Sequence, residues 1–246
     1  MTKLRVVTWN VGRLYSPTHN NRLLDADIPR VAEVLAELGG DVVLLQELVD
    51  ARQLGDIVTR LSRARGAYDG ALAEKCAYDR RAAVLVRRER APVFEEHSLG
   101  SSNRNVVAAS FDVDGRGGAR AAAISAHFDV FDVDRRAEQA DALAALAEAR
   151  GEPLVVAGGD FNLDPAWAAG TGSARDVATF TRLTRVLADA GRHGGATLMG
   201  LLRVDHLLVR GAQRWLAHVS RRRLPLGDHF PLVLDVDLDP DVASTV

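Results

Sequence analysis

The chain has one cysteine, Cys76, in 246 residues. A lone thiol excludes an intrachain disulfide framework and any zinc site built on several cysteines. Lysine is nearly as scarce, with Lys3 and Lys75 the only two. The remaining positive charge is arginine, which suits bidentate contact with phosphate. Neither sign of charge dominates. A formal net charge of −2 provides no global positive field, which argues against non-specific coating of polyanions but leaves a local phosphate site open. No apolar run approaches the ~20 residues needed to span a bilayer, and no charged-then-apolar leader opens the chain. The expectation is a cytoplasmic, monomeric protein without membrane association. Low-complexity tracts, linkers and repeats of fixed period are also missing.

What is present is the composition of an ordinary globular protein, 47% hydrophobic and 26% charged. The length suits a single domain over 1–246, with 240–246 frayed. Apolar periodicity predicts helices over 28–38, 51–65, 134–150 and 174–190, the first stopped by Gly39-Gly40. Strands are expected over 4–11, 41–47, 82–86, 93–97, 105–113, 119–126, 204–209, 214–220 and 230–238. Leu154 to Ala157 reads as a further short, buried strand. Stretches 13–27, 66–81, 164–175 and 192–201 read as loops, without an exposed-looking aromatic cluster. Strands and helices intermix without strict βαβ alternation, which predicts an α/β (α+β) fold with a mixed sheet or two packed sheets and helices outside.

The stretch Pro153 to Asn162 organises the rest. Two glycines after the apolar run allow a tight backbone, and Asp160 and Asn162 follow two residues apart. In an extended segment that spacing puts both side chains on one side. Taken alone, the pair fits a polar turn as well as a site for water, metal or phosphate. The same pattern recurs, however. Thr8-Trp9-Asn10, Gln46-Glu47 and Ser125-Ala126-His127 end other apolar strands, and Gly227-Asp228-His229 precedes the last one. Sites in α/β sheets form outside strand ends, where the backbone is rigid and loops diverge.

Taken together, Thr-Trp-Asn-Val (8–11), Leu-Gln-Glu (45–47), Ala-His-Phe (126–128), Gly-Asp-Phe-Asn (159–162), Arg-Val-Asp-His (203–206) and Gly-Asp-His-Phe-Pro (227–231) resemble the endonuclease/exonuclease/phosphatase superfamily of metal-dependent phosphoesterases. The resemblance implies a four-layer αββα sandwich. It implies hydrolysis of a phosphoester with Mg2+ or Mn2+, in a phosphate-containing substrate that is either nucleic acid or a phosphorylated small molecule. Glu47 would be the main metal ligand, assisted by Asn10, with Asp228 a further one. Asp160 would orient or deprotonate the attacking water, and Asn162 would contact a phosphate oxygen. His229 would act at the phosphate, held by Asp205, and His127 would donate to a non-bridging oxygen. His206 is expected to pack, and His19, His97, His193 and His218 match no motif.

Two departures stand out. Gly227 occupies a place where the family often has serine, and the segment around Tyr78 matches only loosely. Tyr78 and Arg104 are candidate substrate contacts, Asn10 a third, and Arg221-Arg222-Arg223 a candidate site for an additional phosphate or a nucleic-acid backbone. Other outcomes open to the sequence are a non-catalytic phosphate- or nucleic-acid-binding member of the fold, or another metal-assisted reaction on a phosphorylated metabolite.

Overall fold

A computed structural model of the chain describes residues 2–13, 23–76, 80–100, 104–171, 173–212, 214–222 and 227–238. Its first half runs β1 (Thr2–Asn10), α1 (Ile28–Leu38), β2 (Val42–Leu48), α2 (Ala51–Arg65), β3 (Tyr68–Leu72), β4 (Arg81–Arg87), β5 (Val93–Ser98) and β6 (Asn105–Asp112). The second half runs β7 (Arg120–His127), α3 (Val133–Ala149), β8 (Leu154–Asp160), α4 (Pro165–Thr171), α5 (Ala174–Val186), β9 (Ala188–Asp189), β10 (Asp205–Arg210), β11 (Arg214–Val219) and β12 (Leu232–Leu238).

These strands form two six-stranded sheets, in the orders β11-β12-β1-β2-β4-β3 and β5-β6-β7-β8-β10-β9. Each has one parallel pair at its centre, β1 with β2 and β7 with β8, and antiparallel neighbours elsewhere. A parallel pair needs a crossover, and α1 and α3 supply the two. Helix α1 follows from its sequence. Ile28, Val31, Val34 and Leu35 form its buried stripe, and Gly39 ends it in the left-handed region at φ 65° while donating its N–H to Leu35. Asp50 caps α2 by accepting from the Gln53 N–H.

Alternation sorts the core into layers. Leu4, Val6, Val42, Leu44 and Val84 face Ala109, Phe111, Val156 and Leu207 between the sheets. Residues one position over, Val7, Trp9, Val43 and Leu45, pack outward on Val31, Leu35, Ile57 and Leu61. On the far side Ile124, Val155, Ala157 and Leu208 meet Leu143, Phe180 and Leu183. The expected four-layer αββα sandwich is the fold.

Several boundaries differ from expectation. A strand, β3, occupies part of the 66–81 loop, and α4 occupies part of 164–175. Helix α5 stops at Val186 because Leu187 turns extended, and the chain then adds β9 alongside β10. Strand β8 does not turn at its glycines but continues to Asp160. A Cβ on Gly159 would lie 1.8 Å from the Ala126 carbonyl oxygen, so glycine serves close approach of β7 here. Tyr78, His19, Arg223 and the 240–246 tail lie outside the described residues.

Candidate active site

Inward-facing positions at the ends of the central strands are polar in both sheets. On β1 the series Leu4, Val6 continues to Thr8 and Asn10; on β2, Val42 and Leu44 continue to Gln46. On β7 it is Ala121, Ala123, then Ser125 and His127, and β8 ends in Asp160. Below the rim, Gln46 Nε2 donates to Thr8 Oγ1 at 3.3 Å and to Ser125 Oγ at 3.1 Å. Ser125 Oγ donates in turn to the Leu45 carbonyl. All three side chains are buried, so this bridge fastens one sheet to the other in low dielectric.

Asp160 sits at the centre. Its Oδ2 accepts from Asn10 Nδ2 at 2.9 Å and lies 3.7 Å from His127 Nε2 and 3.8 Å from His229 Nε2. Its Oδ1 accepts from the Asn162 N–H. Burial pushes the Asp160 carboxyl up, against the opposing pull of His229. Asn162 does not lie extended beside Asp160, as its spacing suggests. It adopts φ 49°, which turns the chain, and its Nδ2 donates to the Phe128 carbonyl at 3.0 Å. One amide proton of the expected phosphate contact is thereby committed to the β7 loop.

Glu47 reaches the interior through an irregularity that alternation does not predict. The β2–β4 register shifts between Leu45 and Leu48, both of which pack outward, and Glu47 takes φ 68°. The inserted residue turns Glu47 toward the site after Gln46. Gly12 leaves it room, since a Cβ there would stand 2.0 Å from Glu47 Oε2 and 3.1 Å from Asn10 Oδ1. Arg80 Nη1 lies 3.3 Å from Glu47 Oε1. Burial raises the Glu47 carboxyl, with Arg80, His229 and Asn10 pulling the other way.

His229 is fixed from two sides. Its Nδ1 is 2.7 Å from Asp205 Oδ2, and its carbonyl accepts from Trp9 Nε1. A bridge between Leu198 and His229 ties the segment to the preceding loop. Burial disfavours the imidazolium, but Asp205 and Asp160 outweigh burial and raise the pKa to about 10. His229 is therefore a cation with its Nε2 toward Asp160. Asp228 is half-buried, with Oδ1 3.9 Å from His229 Nε2.

His127 is the opposite case. Burial, then the charges of Arg104, Arg80 and His229, push its pKa well below the usual value, so the ring is neutral. Its Nε2 faces two carboxylates, Glu47 at 3.9 Å and Asp160 at 3.7 Å, which assigns the proton to that nitrogen. Nδ1 is buried and has no hydrogen-bond partner among the described residues. Arg104, expected to touch substrate, is buried and donates Nη1 to the His127 carbonyl at 3.2 Å. There it braces the strand end.

The donor set fits a divalent cation. Glu47 and Asn10 offer oxygen atoms, which Mg2+ and Mn2+ prefer, and the Glu47 carboxylate is buried. Asp160, Asp205 and His229 form a second compact group, with one donor atom from each within 4.8 Å of the others. The short His229–Asp205 contact already occupies that group, and a protonated ring offers no lone pair. Of the two groups, Glu47 with Asn10 is the one whose oxygen atoms could hold a cation.

His206 packs as expected, stacked on Phe161 with ring centroids 5.3 Å apart. Arg80 lies outside the matched motifs, and its contact with Glu47 brings it to the site. The surrounding loops are less polar than the sequence suggests. Phe131 is 84% exposed, Trp167 62% and Leu201 77%, on segments that follow His127, follow Asn162 and precede Asp205. Among the described residues, no helix is long and apolar enough to cross a membrane.

The chain belongs to the Endonuclease/Exonuclease/phosphatase family, which its sequence matches over residues 7–229. Members of this family are typically metal-dependent phosphoester hydrolases. Among solved structures, an endonuclease/exonuclease/phosphatase from Bacteroides vulgatus is similar at a TM-score of 0.75 and 20% identity, covering 97% of this chain and 100% of that one. D. rerio TDP2 humanized by 14 mutations is similar at 0.70 and 19%, covering 97% and 100%. Truncated Caenorhabditis elegans TDP2 gives 0.69 and 17%, covering 96% and 98%. These likenesses establish the fold. No curated protein matches the sequence.

Proposed function

We propose that this protein hydrolyses a phosphoester bond by attack of water on phosphorus, with Mg2+ or Mn2+ as cofactor. The observation that carries the reading is the convergence on Asp160 Oδ2. Asn10 from the other sheet, His127 from the neighbouring strand and His229 from a loop bring polar atoms within 2.9 to 3.8 Å of it. The histidine separations are too long for mutual hydrogen bonds, so these atoms address a common space.

Roles follow from charge and position. Glu47 and Asn10 would hold the cation, which when bound would polarise a phosphoryl oxygen. Asp160, aimed by Asn10 and by the Asn162 N–H, orients the water and accepts its proton. His229, kept cationic by Asp205, presents Nε2–H to a phosphoryl oxygen and stabilises the charge that develops there. His127 donates from Nε2 as a neutral ring, and Asn162 retains one amide proton for an oxyanion. Asp228 is a further oxygen donor at the same rim. The substrate is a phosphate-containing molecule, either nucleic acid or a phosphorylated metabolite.

The test is a panel assay of the purified chain with Mg2+ or Mn2+ and with EDTA. Nicked and abasic DNA, RNA, inositol phosphates and a generic phosphodiester form the panel. Metal-dependent release of product that Glu47→Gln abolishes is the expected result. Full-rate activity in Glu47→Gln would reject the assignment.

A further inference from the structure

On β10, Asp205 shares the inward side with Leu207 and Val209 and holds His229. Alternation sends His206 to the opposite side, with Leu208. There it is fully buried between Phe161 and Phe180, at ring-centroid distances of 5.3 and 4.8 Å. A phenylalanine would fill that place in the aromatic group as well. What the imidazole adds is a pair of polar contacts. Its Nε2 stands 2.8 Å from the Leu163 carbonyl and its Nδ1 3.3 Å from Arg203 Nη1. A carbonyl only accepts and a guanidinium only donates, so the ring is neutral with its proton on Nε2. Arg203 Nη1 is itself held by both Asp189 oxygens, at 3.0 and 2.9 Å.

These contacts close around Asn162, which stands at φ 49°. Its neighbours on both sides are held by residues 203–206. The Phe161 N–H donates to the Val204 carbonyl at 2.9 Å, the Leu163 carbonyl accepts from His206, and Asp164 Oδ2 accepts from the Arg203 N–H at 2.8 Å. A positive φ is uncommon even for asparagine, and it persists where the surroundings over-determine it. Resting on the reading of Asn162 as an oxyanion contact, we propose that Arg203 and His206 are positioning residues that hold Asn162 in its left-handed turn and so aim its carboxamide at the substrate phosphate. His206 lies on the side of the sheet turned away from Asp205 and acts through the backbone of residues 161–164. The 203–206 stretch then serves the site twice, with Asp205 setting His229 from one side of β10 and His206 setting Asn162 from the other.

The experiment reads Asn162 directly, in the full chain without metal or substrate. The side-chain amide pair of Asn162 in a proton–nitrogen correlation NMR spectrum is assigned by its disappearance in Asn162→Ala. His206→Phe keeps an aromatic ring in place but cannot donate to Leu163, and the pair is expected to move toward the shifts of exposed asparagines. His206→Gln places an amide nitrogen near the position of Nε2 and should return the pair. Arg203→Met, expected to move the pair the same way by less, carries the test if His206→Phe does not fold by circular dichroism. With bis(p-nitrophenyl) phosphate and Mn2+, His206→Phe should lower kcat roughly 10- to 100-fold with KM little changed, the scale of misplacing a site group by about 1 Å. In the Asn162→Ala background it should cause no further loss, whereas a general structural defect would add its own. An unmoved amide pair, a full kcat in His206→Phe where Asn162→Ala is slow, or additive losses would overturn the proposal. If the pair moves but Asn162→Ala keeps full kcat, the positioning stands and the role of Asn162 at the phosphate falls.

Discussion

Asp160 and Asp205 are register partners on antiparallel β8 and β10, two buried carboxylates placed directly opposite one another. Like charges so placed repel, and His229 answers them both, with Nδ1 on Asp205 at 2.7 Å and Nε2 3.8 Å from Asp160. The two carboxylates together favour the protonated form of the His229 ring against the cost of its burial.

Asp205→Asn removes the charge that keeps His229 protonated while preserving shape. Steady-state kinetics should show kcat reduced by roughly 10²- to 10⁴-fold with little change in KM, the range for a positioned acid–base group. An unchanged kcat would remove Asp205 from the mechanism.

Gly12→Ala tests the room left for Glu47. Gly12 lacks a positive φ, so its backbone tolerates alanine, but the new Cβ would lie 2.0 Å from Glu47 Oε2. Thermal unfolding is expected to shift by only a few degrees, while metal-dependent activity falls by about 10²-fold, comparable to misplacing a site group by about 1 Å. Equal loss of fold and activity would mean that Gly12 is merely structural.

His206 governs a pH dependence of stability. Burial, then the charge of Arg203, lowers its pKa from 6.5 to about 4 in the folded chain. Between those values the unfolded chain binds the extra proton, so stability rises with pH there, is complete above 6.5 and is lost as pH falls toward 4. Over that window the cost reaches roughly 3 kcal/mol. Between pH 7 and pH 4, urea unfolding of the native chain should lose more stability than that of His206→Gln by about that amount. Parallel curves would refute it.

Arg136 ties α3 to α5 through buried Asp176 and also donates to the carbonyls of Asp129 and Val130, just past His127. Arg136→Met strands the buried Asp176 carboxylate. Chemical denaturation should show a loss of roughly 3–5 kcal/mol. A loss below about 1 kcal/mol would show that Asp176 finds another partner.

The elements legible in the sequence were those with local punctuation. α1 and α2 take the predicted bounds because Gly39 and Asp50 fix their ends. β3 was hidden by Asp69 and Gly70, which suit an edge strand but lower its β signal. α4 is short and mixes Pro165, Gly170 and Trp167, so it carries no helical stripe. For the site, the inward alternation of Asn10, Gln46, His127 and Asp160 was readable from period two. The direction of Glu47, the turn at Asn162 and the approach of Arg80 were not. They depend on a register shift, on positive φ values and on a side chain just before β4, none of which leaves a periodic trace.

The Thr8–Gln46–Ser125 bridge has a mechanical consequence. Glu47 and Asn10 belong to one sheet and His127 and Asp160 to the other, so the proposed reaction centre is a seam rather than a depression in one surface. Nothing in either half alone can assemble it. Any change that lets the sheets slide apart by an ångström silences the chemistry while the bulk of both hydrophobic layers stays intact, which makes turnover a finer gauge of how the halves dock than any melting curve.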